Sequence, residues 1–229
     1  MTGLAALPAS CWSSPSDTRT DAVSDPDRTV PDMTPDARTA RLDVLVPGGV
    51  TGHEDGPMRV VGTVSLVRDQ GRVIVVDPGM VPDRSAILDP LAALGLTPDD
   101  VTDIVLSHHH PDHTVNIAMF PVVPVHDVQA VYEGDVWTSR EAEGVLLTPS
   151  VRLLATPGHT PQDLTVLVGT ADGVAALTHL WWTADGPAED PYAPDREVLR
   201  QQRERVLALC DLVVPGHGPS FVPGEATPR

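Results

Sequence analysis

Lysine is absent from this chain of 229 residues: all fifteen basic residues are arginine, and they face thirty-two Asp and Glu, for a net charge of −17. A surface this acidic repels nucleic acid and anionic membranes unless bases are gathered locally. Only residues 196–205 gather them, and there Arg alternates with Glu197 and Glu204 as on a solvated helix face. Cysteine is scarce too. Cys11 and Cys210 lie in dissimilar contexts, which excludes a disulfide framework and fits a reducing cytoplasm. No apolar run approaches the roughly 18–20 residues of a spanning helix, so a transmembrane protein is excluded. The first residues lack the basic stretch of an export signal, and Pro8 breaks their short apolar run.

What remains is an ordinary globular balance of 41% apolar and 21% charged residues, at a length that suits one sizeable domain. Residues 1–40 are Asp-, Pro-, Ser- and Thr-rich and read as a disordered leader, within which Met33 is an alternative start. Residues 223–229 read as a loose tail, leaving a domain over 41–222. Within it, apolar alternation or β-branched runs predict strands at 42–46, 60–67, 71–76, 103–106, 122–125, 151–155, 164–168, 174–177 and 211–214. Helices are expected at 83–94, with Asp83 at its start and Gly95 at its stop, and at 195–210, with Leu199, Val206 and Cys210 on one face. Many strands with a few amphipathic helices imply a layered α/β domain.

The chemistry sits in the histidines. Ser107-His108-His109-His110-Pro111-Asp112-His113, Thr156-Pro157-Gly158-His159-Thr160 and Pro215-Gly216-His217-Gly218-Pro219 each follow a predicted strand. Imidazole and carboxylate suit Zn²⁺, Fe²⁺ or Mn²⁺, and crowding them is tolerable when a cation sits between. In an extended loop, His108 and His110 point the same way and can reach one cation, while His109 points aside. Beyond the turn at Pro111, Asp112 and His113 can address a second. His159 and His217 arrive after Pro-Gly, which lets the backbone turn tightly and approach closely. The isolated His53 and His126 read as ordinary polar residues.

His108-x-His110-x-Asp112-His113, with Asp77 upstream and His159 and His217 downstream, resembles the metallo-β-lactamase-fold hydrolases over roughly residues 43–222. The wording of Val76-Asp77-Pro78-Gly79, Ala155-Thr156-Pro157-Gly158-His159 and Val214-Pro215-Gly216-His217-Gly218-Pro219 is closest to the metallo-β-lactamase domain-containing protein 1 branch. The resemblance implies a four-layer αβ/βα sandwich with a dinuclear zinc site between two sheets, one ion or Fe or Mn being alternatives. It implies His108, His110 and His159 on the first ion and Asp112, His113 and His217 on the second. Asp77 would orient a ligand histidine, and Asp112 would also handle the proton of the attacking water. The implied activity is hydrolysis of an ester, thioester, lactone or related acyl bond in a small molecule.

One position departs from the pattern. Where the family carries a bridging Asp, this chain reads Thr178-His179-Leu180-Trp181-Trp182, and an imidazole cannot share one atom between two cations. His179 is expected as a ligand to one of them; the competing reading leaves it a neighbour, with Asp185 supplying a carboxylate. Trp181 and Trp182 are candidates for a substrate pocket. Three rivals stand beside the acyl hydrolase. One is a phosphodiesterase or nuclease, disfavoured by the charge. The others are a mononuclear iron oxygenase and a degenerate metal-binding domain without activity.

Overall fold

The computed structural model describes residues 39–52 and 56–229. The leader up to residue 38, Met33, Cys11 and His53 lie outside the described residues.

Strand β1 (Arg41–Val46) precedes a small ribbon of β2 (Gly49–Thr51) and β3 (Arg59–Val61), then β4 (Val64–Asp69) and β5 (Arg72–Val76). Helix α1 (Ser85–Ala93) and β6 (Asp103–Val105) follow, then the short α2 (Pro111–Thr114), β7 (Val125–His126), β8 (Ala130–Glu133) and β9 (Val136–Ser139). With β1 and β4 to β9 in that spatial order, these make a seven-stranded sheet. A second, five-stranded sheet holds β10 (Leu146–Thr148), β11 (Val151–Ala155), β12 (Leu164–Thr170), β13 (Gly173–Leu177) and β14 (Leu212–Val214). Helix α3 (Arg196–Leu207) connects β13 to β14.

Side-chain parity explains the layers. Along β4, β5 and β6, Val67, Ile74, Val76 and Val105 face Val151, Leu153, Leu164, Val166, Leu177 and Val214 of the other sheet. Their alternates Val64, Leu66, Val75 and Ile104 pack with Ile87 and Leu91 of α1. Strands covered on both faces must be apolar on both, hence the unbroken β-branched run of β5. The result is the stacked α/β arrangement of the αβ/βα sandwich.

Several boundaries differ from expectation. The strand expected over 60–67 is broken at Gly62 and Thr63. A Cβ at Gly62 would stand 2.5 Å from the Asp112 carbonyl oxygen and 3.1 Å from the His113 ring, so the backbone passes there to let the site loop in. The strand expected over 122–125 begins only at Val125, since Pro121 and Pro124 offer no N–H to a ladder. Strands β8, β9 and β10 were not expected; β9 is exposed along its whole length and shows no buried face to betray it. Helix α3 stops short of Cys210, and Asp195, read as its first residue, is its N-cap, accepting from the backbone N–H groups of Glu197 and Val198.

The domain edges also differ. Thr39 and Ala40, read as leader, are already attached: Ala40 N–H donates to the Gly169 carbonyl and the Thr39 hydroxyl to Asp69. Residues 223–229, read as loose, are docked: Trp181 Nε1–H donates to the Pro228 carbonyl at 2.8 Å, and Thr227 is buried.

Candidate metal centre

Each sequence-predicted ligand stands just beyond the C-terminal end of a strand or on the short helix that follows one. Asp77 follows β5; His108 and His110 follow β6, with Asp112 and His113 on α2; His159, His179 and His217 follow β11, β13 and β14. β5 and β6 run parallel, as do β13 and β14, and β11 and β13 are both antiparallel to β12. Within each sheet these strands therefore end at one edge. Backbone hydrogen bonds join the two edges: Leu164 N–H to the Ser107 carbonyl at 2.7 Å and Thr63 N–H to the Gly216 carbonyl at 2.8 Å.

Asp77 is held at φ +54°, a left-handed conformation that Asp tolerates better than most residues. Three donors hold it there. Ser107 N–H reaches Oδ1 at 2.7 Å, and the Ser107 hydroxyl and His113 Nδ1–H reach Oδ2 at 2.7 and 2.8 Å. Because the Ser107 hydroxyl gives its one proton to Asp77, it accepts from His108 Nδ1–H at 3.0 Å. One carboxylate thus orients two histidines. Asp190 Oδ2 accepts from His159 Nδ1–H at 2.7 Å, and the Val61 carbonyl from His217 Nδ1–H at 3.0 Å.

With each Nδ1 engaged outward, four Nε2 atoms are left for the interior of the cluster. His110 Nδ1 lies 3.0 Å from His108 Nε2 and 3.1 Å from His159 Nε2. His113 Nε2 is 3.2 Å and His217 Nε2 3.6 Å from Asp112 Oδ2. Nitrogen lone pairs this close repel unless a proton or a cation lies between them. Ligands about 2.0–2.1 Å from one tetrahedral cation stand roughly 3.3 Å apart, so the donor set fits divalent cations. Three trios have ligand atoms all within 4.8 Å of one another: His108, His110 and His159; Asp112, His113 and His217; and His108, His113 and His179. The first two are the distinct clusters of a dinuclear site.

The electrostatics agree. Burial, with the neighbouring histidines, holds His108 and His179 neutral, far below the ordinary imidazole range; burial also lowers His110 and His217. Burial opposes charge on His113 as well, yet the Asp77 and Asp112 carboxylates push it up to about 9. Burial alone would raise Asp112, but contact with His113 brings it below the usual carboxylate range. The centre therefore calls for positive charge between Asp112 and His113, and a metal cation answers that in place of a proton.

His179 is drawn into the cluster, with ring centroids 4.1 Å from His159, 4.4 Å from His108, 4.8 Å from His217 and 4.9 Å from His113. Asp185, the alternative carboxylate, is instead exposed, in a turn where Gly186 N–H bonds the Thr183 carbonyl. The two tryptophans part ways. Trp181 is fully buried against Phe221 and Arg203, which removes it from any pocket. Trp182 lies beside the cluster, 5.9 Å from both His159 and His217, and stacks on the exposed Tyr192 at 5.8 Å. His109 bonds Asp127 and His126 bonds Asp103, away from the centre.

Sequence reasoning missed Asp190, which accepts from His159, from Trp182 Nε1–H at 2.8 Å and from Tyr192 N–H at 2.9 Å. Among the acids of that loop no spacing marks it out from Asp185 or Glu189. Arg203 was read as part of a solvated face, but it is fully buried. Its guanidinium donates to the carbonyls of Leu180, Pro187 and Ala188, so it secures the loop that carries Asp190. Arg200 does pair with Glu197 and Glu204 at the surface.

The chain is 35% identical over 190 residues to human metallo-beta-lactamase domain-containing protein 1, covering 76% of this chain and 69% of that protein. It is 36% identical over 157 residues to the mouse protein of the same name, covering 65% of this chain and 60% of that one. Among solved structures, a candidate metallo-beta-lactamase from Thermotoga maritima superposes with TM-score 0.66 at 21% identity, over 81% of this chain and all of the other. A quorum-quenching N-acyl homoserine lactone hydrolase superposes with TM-score 0.59 at 21% identity, over 79% and 92% of the two chains. The pattern of the metallo-beta-lactamase superfamily runs through residues 58–224, spanning every strand end that carries a ligand candidate, and the chain belongs to that superfamily.

Proposed function

We propose that this protein is a zinc-dependent hydrolase of a neutral ester, thioester or lactone. The observation that carries the reading is the outward engagement of Nδ1 on His108, His113, His159 and His217, which leaves each Nε2 to the cluster. In this reading His108, His110 and His159 hold one cation and Asp112, His113 and His217 the other, with His179 as a further nitrogen donor. Divalent cations bound there supply Lewis acidity to an acyl oxygen and bring the pKa of water toward neutrality.

The chain's own groups do the rest. Asp112 orients the attacking water and takes up its proton on the carboxylate. Asp77 and Asp190 keep the ligand rings from rotating. Trp182 and Tyr192 form an aromatic wall beside the cluster, suited to an apolar acyl group. The acids Asp185 and Glu189 in the same loop disfavour an anionic substrate, as does the overall charge. The lactone hydrolase of similar fold supports an acyl bond over a phosphodiester, and the two cysteines support a reducing compartment such as the cytoplasm. No helix among the described residues is long and apolar enough to cross a membrane.

The test is untagged protein assayed for bound metal and for turnover of p-nitrophenyl acetate, a thioester, a lactone and bis-p-nitrophenyl phosphate. Chelator-sensitive turnover of an acyl substrate is expected. Preference for the phosphodiester would replace the reading with its first rival, and a loaded but inert protein would leave a degenerate metal-binding domain.

A further inference from the structure

We infer that His179 creates a third cation position, formed with His108 and His113, whose filling excludes the other two. The ligand atoms of these three residues lie within 4.8 Å of one another, and all three side chains are essentially sealed from solvent. His108 also belongs to the trio with His110 and His159, and His113 to the trio with Asp112 and His217. Neither can serve two cations, because Ser107 engages Nδ1 of the first and Asp77 that of the second. Each has a single nitrogen to give. A cation in the central position therefore takes one ligand from each outer position.

The imidazole of His179 is built into the fold. Gly216 passes directly against it, and any Cβ there would collide with the ring. Its Nε2 stands 2.9 Å from His217 Nε2, whereas its Nδ1 is buried without a hydrogen-bond partner. A sealed imidazole with an unengaged nitrogen, amid four other histidines, is a ligand awaiting a cation rather than a packing residue. A carboxylate at this point would tie two cations together; the imidazole gives a centre that holds one cation in the middle or two at the flanks. A second cation must then displace the first, so loading is anticooperative.

The inference rests on the proposed ligand set but not on hydrolytic activity, and its test reads the metal directly. Metal-free protein is titrated with Co²⁺ by absorbance and by equilibrium dialysis, alongside His179→Gln and His179→Asp. In the unaltered protein the second equivalent is expected to bind about tenfold or more weakly than the first, within the usual range of coupling between sites. The visible bands should change shape, not merely grow, as the first ion relocates. In both variants, checked for native circular dichroism, the bands should grow without changing shape and the two affinities should converge. Bands that scale linearly in the unaltered protein, or a glutamine variant that titrates identically to it, would overturn the central position while leaving the dinuclear reading intact. Failure to bind Co²⁺ at all would overturn both.

Discussion

The Asp190 carboxylate accepts a 2.7 Å hydrogen bond from Nδ1 of His159, a residue 31 positions earlier in the chain and on the far side of two strands. It fixes which nitrogen His159 offers to the cluster. It also draws Trp182 and Tyr192 together beside that histidine, so one carboxyl group sets both a ligand and a wall.

Removing that link should loosen metal before it loosens the fold. Asp190→Asn is expected to weaken zinc retention about 10- to 100-fold, the usual cost of losing a partner behind a ligand. Competition with a chromogenic chelator measures it. Unchanged retention would mean that His159 needs no orienting partner.

Arg203 should matter for stability rather than chemistry. Arg203→Met leaves the buried Leu180 carbonyl and the part-buried Pro187 and Ala188 carbonyls without their donor, and about 3 kcal/mol of unfolding free energy should go with them. Urea denaturation of the metal-free protein reads this. Arg200→Met, which loses only surface pairs with Glu197 and Glu204, should fall within about 0.5 kcal/mol of the parent.

Burial pushes the Asp163 carboxyl up to about 6, despite two hydrogen bonds from Thr160 to its Oδ1; its Oδ2 is buried without a partner. The folded chain therefore holds this proton over a range in which the unfolded chain, near 3.9, has released it. Its contribution to stability is full below about pH 4 and is lost as pH rises toward 6, amounting to roughly 2–3 kcal/mol. Asp163→Asn should remove that slope. Denaturation of both proteins between pH 4 and 7 gives the difference, and parallel curves would contradict the assignment.

The two neighbouring tryptophans should separate cleanly. Trp181→Ala empties a core position and should cost about 3–5 kcal/mol. Trp182→Ala should leave most of the stability and raise KM for acyl substrates more than it lowers kcat. An unchanged KM would remove Trp182 from the substrate wall.

Some of this protein could be read without coordinates. Local chemistry marks His108, His110, Asp112, His113, His159 and His217, because each sits in a short motif after a strand signal. The start of α3 at Asp195 is legible for the same reason, its carboxylate accepting from Glu197 and Val198 N–H, whereas Asp83, expected to cap α1, stands one residue before the N-cap Arg84 and accepts from Ser85 N–H. The unbroken apolar run of β5 likewise declares a strand covered on both faces.

The sequence by itself determined the ligand chemistry and the layered α/β class, since donor type, turn residues and apolar period are properties of neighbouring residues. Only the tertiary structure decided that Asp190 rather than Asp185 backs His159, that Trp181 is core while Trp182 flanks the site, and that Arg203 is buried. Those outcomes depend on how a loop and a helix pack across strand ends far apart in the chain. Identical residue types a few positions apart receive opposite environments there, and no local pattern records which is which.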